Sequence, residues 1–276
     1  MSLDLTLHTA PLVPLEADVL TPGRLSGLSA REAAKLIVVH GNQAAELGEF
    51  FRISGVANGE IHLTGDLSHV KLIGAGMAEG RIVVHGPAGM HVGAGMTGGE
   101  IVVEGNTGDW VGPEMSGGRI VVKGNAGHLV GSASRGSPAG LQGGEILVFG
   151  NAGNEVGGGM RRGLIAIGGD TSDFTGVNML AGTVVVFGHL GARPGAGMKR
   201  GSIVSMHPTE MLPTFSYACT YRPVFLRVYL SYLQGLGFPV TEAQLNGSYQ
   251  RWCGDAIELN RGEILYLDSS PTEVHR

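Results

Sequence analysis

Short apolar runs return along this chain at a nearly fixed interval. Between Gly59 and Val204 the pattern Gly-x-Ile-Val-Val-x-Gly occurs eight times, with first glycines at Gly59, Gly80, Gly99, Gly118, Gly144, Gly163, Gly182 and Gly201, spaced by 21, 19, 19, 26, 19, 19 and 19 residues. Overlaying the repeats gives a column of Ile61, Ile82, Ile101, Ile120, Ile146, Ile165, Val184 and Ile203. Two residues on lies a second column of Leu63, Val84, Val103, Val122, Val148, Ile167 and Val186. Alternate positions of a strand share a face, and β-branched residues suit a pleated surface. The period therefore predicts a mostly β solenoid of 19-residue coils over residues 37–206. Each column becomes an internal ladder with rungs about 4.8 Å apart. The intervening column is apolar too (Val83, Val102, Val121, Leu147, Val185), so the outer face of these strands is predicted to pack on a terminal segment or a partner.

Other columns read as architecture. Gly65, Gly86, Gly105, Gly124, Gly150, Gly169 and Gly188 precede Asp66, Pro87, Asn106, Asn125, Asn151, Asp170 and His189, and Gly-Asn and Gly-Asp are turn pairs. Met77, Met96, Met115, Leu141, Met160, Met179 and Met198 form a column that core filling explains better than a soft-metal site. Glu60, Arg81, Glu100, Arg119 and Glu145 alternate in sign, so a one-coil slip sets like beside like. This reads as a surface ladder that holds register. The 26-residue step contains a seven-residue insertion, Ser132–Pro138, with Arg135 at its tip, either a tolerated loop or a contact for a partner.

The ends differ from the middle. Residues 1–36 carry the alternating Leu3, Leu5 and Leu7, a proline-punctuated stretch and the capping box Ser29-Ala-Arg-Glu32, predicting a strand, extended cover and a helix to about Leu36. Ile37-Val-Val-His-Gly-Asn42 reads as a degenerate first coil. Residues 207–276 are predicted to form an α+β cap: an amphipathic helix from Pro223 to Leu236, then Ala256–Leu259 and Glu263–Leu267 as a hairpin about Asn260-Arg-Gly262. Tyrosines concentrate there, and such a segment would cover an open end or dock a partner.

Composition narrows the function. A net charge of −5 argues against a general nucleic-acid binder, and no apolar run is long enough to span a bilayer. The N-terminus lacks the basic start and apolar core of a signal peptide, so the expected location is cytoplasmic, with Cys219 and Cys253 as buried reduced thiols. No nucleophile elbow, Walker loop or His-Glu-x-x-His is present. His69 and His128 share a column with Asp109 between them, but coil spacing sets the pair too far apart for one ion. Asp109 and Asp173 share it too, and are likewise too distant for paired carboxylate chemistry. Catalytic and metal-ligating residues are therefore expected to be none. One cluster does point outward. Arg161-Arg162 and Lys199-Arg200 occupy the same columns two coils apart, with Arg193 nearby, a positive patch suited to an anionic ligand or an acidic partner segment.

The runs Ile73-Gly-Ala-Gly-Met, His91-Val-Gly-Ala-Gly-Met, Trp110-Val-Gly-Pro-Glu-Met and Arg193-Pro-Gly-Ala-Gly-Met-Lys-Arg, with the tail Thr220-Tyr-Arg-Pro-Val-Phe-Leu and Leu236-Gly-Phe-Pro, resemble the C subunit of formylmethanofuran dehydrogenase and of the bacterial formyltransferase/hydrolase complex. A more distant similarity is to the C-terminal β-helix domain of glutamate synthase. The resemblance implies a single right-handed parallel β-helix that scaffolds a complex and binds no cofactor itself. The bacterial complex moves a formyl group from a tetrahydromethanopterin carrier to a methanofuran-type cofactor and releases formate. Implied companions are a metal-dependent amidohydrolase-like subunit, a dehydrogenase-like B subunit and a formyltransferase subunit. Since such cofactors carry glutamate tails, Arg161, Arg162, Arg193, Lys199 and Arg200 become candidate contacts for a tail or its carrier. Three other readings stay open: the C subunit of an archaeal tungsten or molybdenum dehydrogenase, a glutamate-synthase-type module, and an autonomous β-helix enzyme.

Overall fold

A computed structural model describes residues 2–56 and 58–268. Each repeat core forms a short strand that pairs in parallel, without slippage, with the strand of the next repeat: Glu60–Thr64, Arg81–His85, Glu100–Val103, Arg119–Val122, Glu145–Val148, Leu164–Ile167, Thr183–Val186 and Arg200–Ser205. The register is the one the columns demand, with Ile82 beside Ile101, Ile101 beside Ile120 and Ile120 beside Ile146. All these isoleucines have no exposed surface. Burying each is worth about 1.5–3 kcal/mol, and a register slip would move the whole set to the other face.

Repeats also meet away from the strands. Leu67, Ala88, Thr107, Ala126, Ala152 and Thr171 form a line of parallel bridges. A third line of bonds runs from Gly93 N–H to Ile73 O, Gly112 to Val92, Gly131 to Val111 and Gly157 to Val130. Glycine is required on that line. At Gly93, Gly112 and Gly131 φ is 66°, 62° and 66°, and a Cβ would lie 2.4–2.6 Å from Cδ1 of Ile120, Ile146 and Ile165. The methionine column fills the remaining interior, with Met77 2% exposed and Met96, Met115, Met160, Met179 and Met198 fully buried.

The termini extend the same sheet to thirteen strands among the described residues. Leu3–Leu7 pairs in parallel with Glu60–Thr64, putting Leu3 beside Ile61, and Phe51–Gly55 returns antiparallel on its outer edge. At the far end Arg261–Leu267 pairs in parallel with Arg200–Ser205, so Ile264 continues the isoleucine column; Tyr249–Gly254 and Ser216–Tyr221 follow antiparallel.

Several expectations change here. Ile37–His40 is not a coil. It pairs antiparallel with Gln43–Glu46 and with Leu15–Glu16 in a separate four-stranded sheet, because Gly41-Asn42 closes it into a hairpin. The capping box at Ser29 is present, but the helix is one turn, Ala30–Ala33. The C-terminal hairpin uses Tyr249–Gly254, not Ala256–Leu259, as its first arm; the latter lies in the connection, where Asn260 adopts φ 51°. The thiols are not buried: Cys219 is exposed and Cys253 half-buried, because Ser216–Tyr221 is the sheet's solvent-exposed edge strand and Tyr249–Gly254 lies next to it. Residues 269–276 of the predicted cap lie outside the described residues.

The outer column finds its cover in the chain itself. The helix Val224–Gly235 starts after Pro223 and lays Leu226, Leu230 and Leu233 on Val121, Leu147, Leu164, Val185 and Val204, with Phe238 stacked between Phe149 and Phe187. The i, i+4, i+7 spacing puts those leucines on one stripe.

Candidate docking face and cationic corner

The charge ladder forms as its alternation predicts. Arg81 reaches Glu60 at 3.2 Å and Glu100 at 3.0 Å, while Arg119 lies 3.6 Å from Glu100 and in hydrogen-bond contact with Glu145. Tyr232 of the cap helix closes the row. Its hydroxyl donates to the Glu145 carboxylate at 2.8 Å and accepts from Arg119 Nη2 at 2.8 Å. The carboxylate of Glu145 holds the Arg119 guanidinium above its ordinary range. Burial, then the bond to Glu145, pushes the Tyr232 hydroxyl above the usual tyrosine range.

The polar column that resembled a metal or carboxylate site holds the turns together instead. Asp109 Oδ1 accepts from His128 N–H at 2.8 Å, His128 Nδ1 from Asn154 N–H at 2.9 Å, and Asn154 Oδ1 from Asp173 N–H at 3.1 Å. Asn106, Asn125, Asn151 and Asp170 do the same one turn earlier. Each side chain thus caps a backbone donor of the next coil, as Asx turns do within one chain segment.

The start of the insertion is tied to the next coil. Buried Ser132 donates from its hydroxyl to Glu155 O and accepts from Gly158 N–H at 3.0 Å, leaving Arg135 exposed.

The predicted cationic cluster is partly assembled. Arg161, Arg162, Lys199 and Arg200 line one depression of about 420 Å³ with Leu259. Arg193 does not join them. It sits at another corner of its coil, at φ 57°, with its guanidinium 5.5 Å from the centre of the Phe174 ring. Lys199 lies 3.9 Å from Glu258; Arg161, Arg162 and Arg200 have no acidic partner among the described residues.

A further cation belongs here. Arg261 stands directly beside Arg200 in the parallel pairing of their strands, is exposed, and also has no acidic partner among the described residues. Like charges side by side on a sheet disfavour one another. No periodic signal marks Arg261, because its strand joins the stack by tertiary pairing from outside the repeat.

Arg162 faces two ways. It also lines a groove of about 740 Å³ between the cap helix and the coils, with Leu164, Thr183, Val228, Tyr229 and Tyr232. The floor is the motif-glycine column, Gly118, Gly144, Gly163 and Gly182, which brings bare backbone to the surface. The cap helix is apolar on its outward side as well: Val224 is 78% and Val228 70% exposed.

Comparison with solved structures finds similarity over nearly the full length. A chain of the formyltransferase/hydrolase complex FhcABCD from Methylorubrum extorquens, solved with methylofuran, superposes with a TM-score of 0.86 at 33% identity, covering 96% of this chain and 99% of that one. Among curated sequences, the C subunit of a molybdenum-containing formylmethanofuran dehydrogenase from Methanosarcina barkeri is 42% identical over 85 residues, 29% of this chain and 28% of the relative. The C subunit of a tungsten-containing enzyme from Methanothermobacter thermautotrophicus is 42% identical over 93 residues, 32% of this chain and 34% of the relative. The matched stretch thus spans about a third or less of these curated relatives. No family model matches the chain.

Proposed function

Because this chain belongs to the family formed by the C subunits of formylmethanofuran dehydrogenases and their counterpart in the formyltransferase/hydrolase complex, we propose that it is a non-catalytic scaffold, a right-handed parallel β-helix within a complex that moves a formyl group from formyl-tetrahydromethanopterin to a methanofuran-type cofactor and releases formate. The observation that carries this reading is the 33% identity sustained over 99% of a chain from such a complex. The hydrolytic complex is preferred to the metal-dependent dehydrogenase because the latter's subunits match over only 28% and 34% of their length. The polar columns support a structural role, since their side chains are occupied by backbone donors of adjacent coils.

In this reading companion subunits perform the chemistry: an amidohydrolase-like subunit, a dehydrogenase-like B subunit and a formyltransferase subunit. The cationic corner of Arg161, Arg162, Lys199 and Arg200, with Arg193 on the neighbouring corner, meets the glutamate tail of the cofactor or the subunit that holds it. Unpaired guanidinium groups on a chain of net charge −5 suit carboxylates. Purification of the native protein tests the proposal. Three companion subunits, formyl transfer and hydrolysis by the complex, and neither activity from this chain alone are expected. Purification without companions, or activity from the isolated chain, would reject it.

A second reading, the C subunit of a molybdenum or tungsten dehydrogenase, draws on the 42% local identity. Stoichiometric molybdenum or tungsten in the purified complex would decide for it.

A further inference from the structure

The helix Val224–Gly235 presents two apolar stripes, and only one is covered. Leu226, Leu230 and Leu233 face the coils, whereas Val224, Phe225, Val228 and Tyr232 are 78%, 39%, 70% and 39% exposed. Arg227 is the only charged residue of its twelve. A solvated helix ordinarily carries its charges on the outward face. The outward stripe runs from Val224 to Tyr232, about 12 Å at 1.5 Å per residue. It continues into the groove that Val228, Tyr229 and Tyr232 form with Arg162, Leu164 and Thr183. Small-molecule sites are concave and enclose most of their ligand; a convex helix stripe joined to an open groove has the form of a protein-docking surface.

Charge identifies the occupant. Glu145, the acid of the groove, is already held by Arg119 and Tyr232. What remains around the groove is positive. Arg162 on its wall, Arg227 on the helix, and Arg161 and Arg200 in the adjoining depression have no acidic partner among the described residues. A second copy of this chain, at net charge −5, would bring the same cations to its own surface and repel them.

We infer that the groove and the outward stripe of this helix dock an acidic segment of a companion subunit, its apolar side chains on Val224, Val228 and Tyr229 and its carboxylates on Arg162 and Arg227. The inference rests on the reading of this chain as a subunit of a complex.

The test uses the co-expressed complex with an affinity tag on a companion subunit. Val228→Glu is the discriminating variant, since its site is exposed and the substitution sets a carboxylate where the partner's acids would lie; Arg162→Glu is the second. Each should lower the amount of this chain retained on the tagged companion at least tenfold, with the thermal midpoint of the isolated variant unchanged. Raising salt should weaken retention of the wild type. Wild-type retention of Val228→Glu overturns docking at the groove, while the subunit reading stands if the wild-type chain co-purifies. Loss with Arg162→Glu alone overturns it too, because the cations would then act without the apolar stripe. An isolated wild-type chain that is dimeric, and monomeric as Val228→Glu, makes a second copy the occupant and also overturns it. A wild-type chain that never co-purifies with a companion rejects the subunit reading, and this inference with it.

Discussion

Two columns of charge flank the same row of motif glycines, and they follow opposite rules. On one side Glu60, Arg81, Glu100, Arg119 and Glu145 alternate, and each arginine bridges the acids of the coils above and below it. On the other side Arg162, Arg200 and Arg261 repeat one sign, and Arg200 and Arg261 are direct neighbours. Alternation satisfies charge within the chain and records the register. Repetition of one sign leaves the arginines of the isolated chain to disfavour one another. The two columns look alike as charged residues on coils; what separates them is pairing within the chain.

The largest expected effect lies at the unpaired corner. The double variant Arg162→Glu, Arg200→Glu should reduce cofactor turnover by the complex about tenfold or more at low salt, and by less at high salt, because exposed charges are screened beyond roughly 8–10 Å. Its unfolding midpoint should not fall. Unchanged kinetics and assembly would show that the corner is solvated surface.

Next comes the ladder. Arg119→Glu replaces attractions to Glu100 and Glu145 by repulsions. Urea unfolding should show a loss of about 1–2 kcal/mol, from the few tenths to 1 kcal/mol per pair typical of such contacts. A stability loss at the corner variant and none here would reverse the comparison.

Tyr232 joins the two regions and gives a smaller, pH-dependent effect. Its folded-state ionisation is raised above the ordinary value, so its contribution is complete below pH about 10 and is lost as pH rises through the raised value. Tyr232→Phe should cost about 0.5–1.5 kcal/mol at neutral pH, the net worth of a typical hydrogen bond. The difference from wild type should shrink in alkaline unfolding scans. No difference at neutral pH would show that the hydroxyl contributes nothing, and a difference constant at all pH values would show that its ionisation is not linked to folding.

The smallest effect should be a gain. Arg261→Ala removes the like-charge neighbour of Arg200 and should raise stability by a few tenths of a kcal/mol. A loss instead would mean that the stem of Arg261 packs on the coil more than its charge repels.

Much of the coil stack was legible because its information is local and repeated. A β-branched column, a glycine that must take positive φ and an alternating charge each constrain the same register, so their agreement is redundant. The cap helix was legible from Pro223 and its amphipathic run, but not the face it buries: Leu226, Leu230 and Leu233 meet the coils while Val224 and Val228 stay exposed. What escaped has a common cause. Ile37–His40 carries the apolar pattern of a coil, yet a hairpin turn and pairing with Leu15–Glu16 take it into another sheet. Arg193 is near Lys199 in sequence, but a backbone corner at positive φ turns it toward Phe174. The first arm of the C-terminal hairpin escaped because Ala256–Leu259 is as apolar as a strand, while Tyr249–Gly254 prevails through its antiparallel partners on both sides.

The sequence by itself determined the coil period, the isoleucine and methionine columns and the paired ladder, since a repeat states the same local preference many times over. Only the tertiary structure decided that the chain's own helix covers Val121, Leu147 and Val185, that Arg261 joins Arg162 and Arg200, and that a groove opens beside Tyr232. Those outcomes depend on which distant segments bury the most apolar surface against one another. That competition is settled between surfaces in space, and no period along the chain encodes its result.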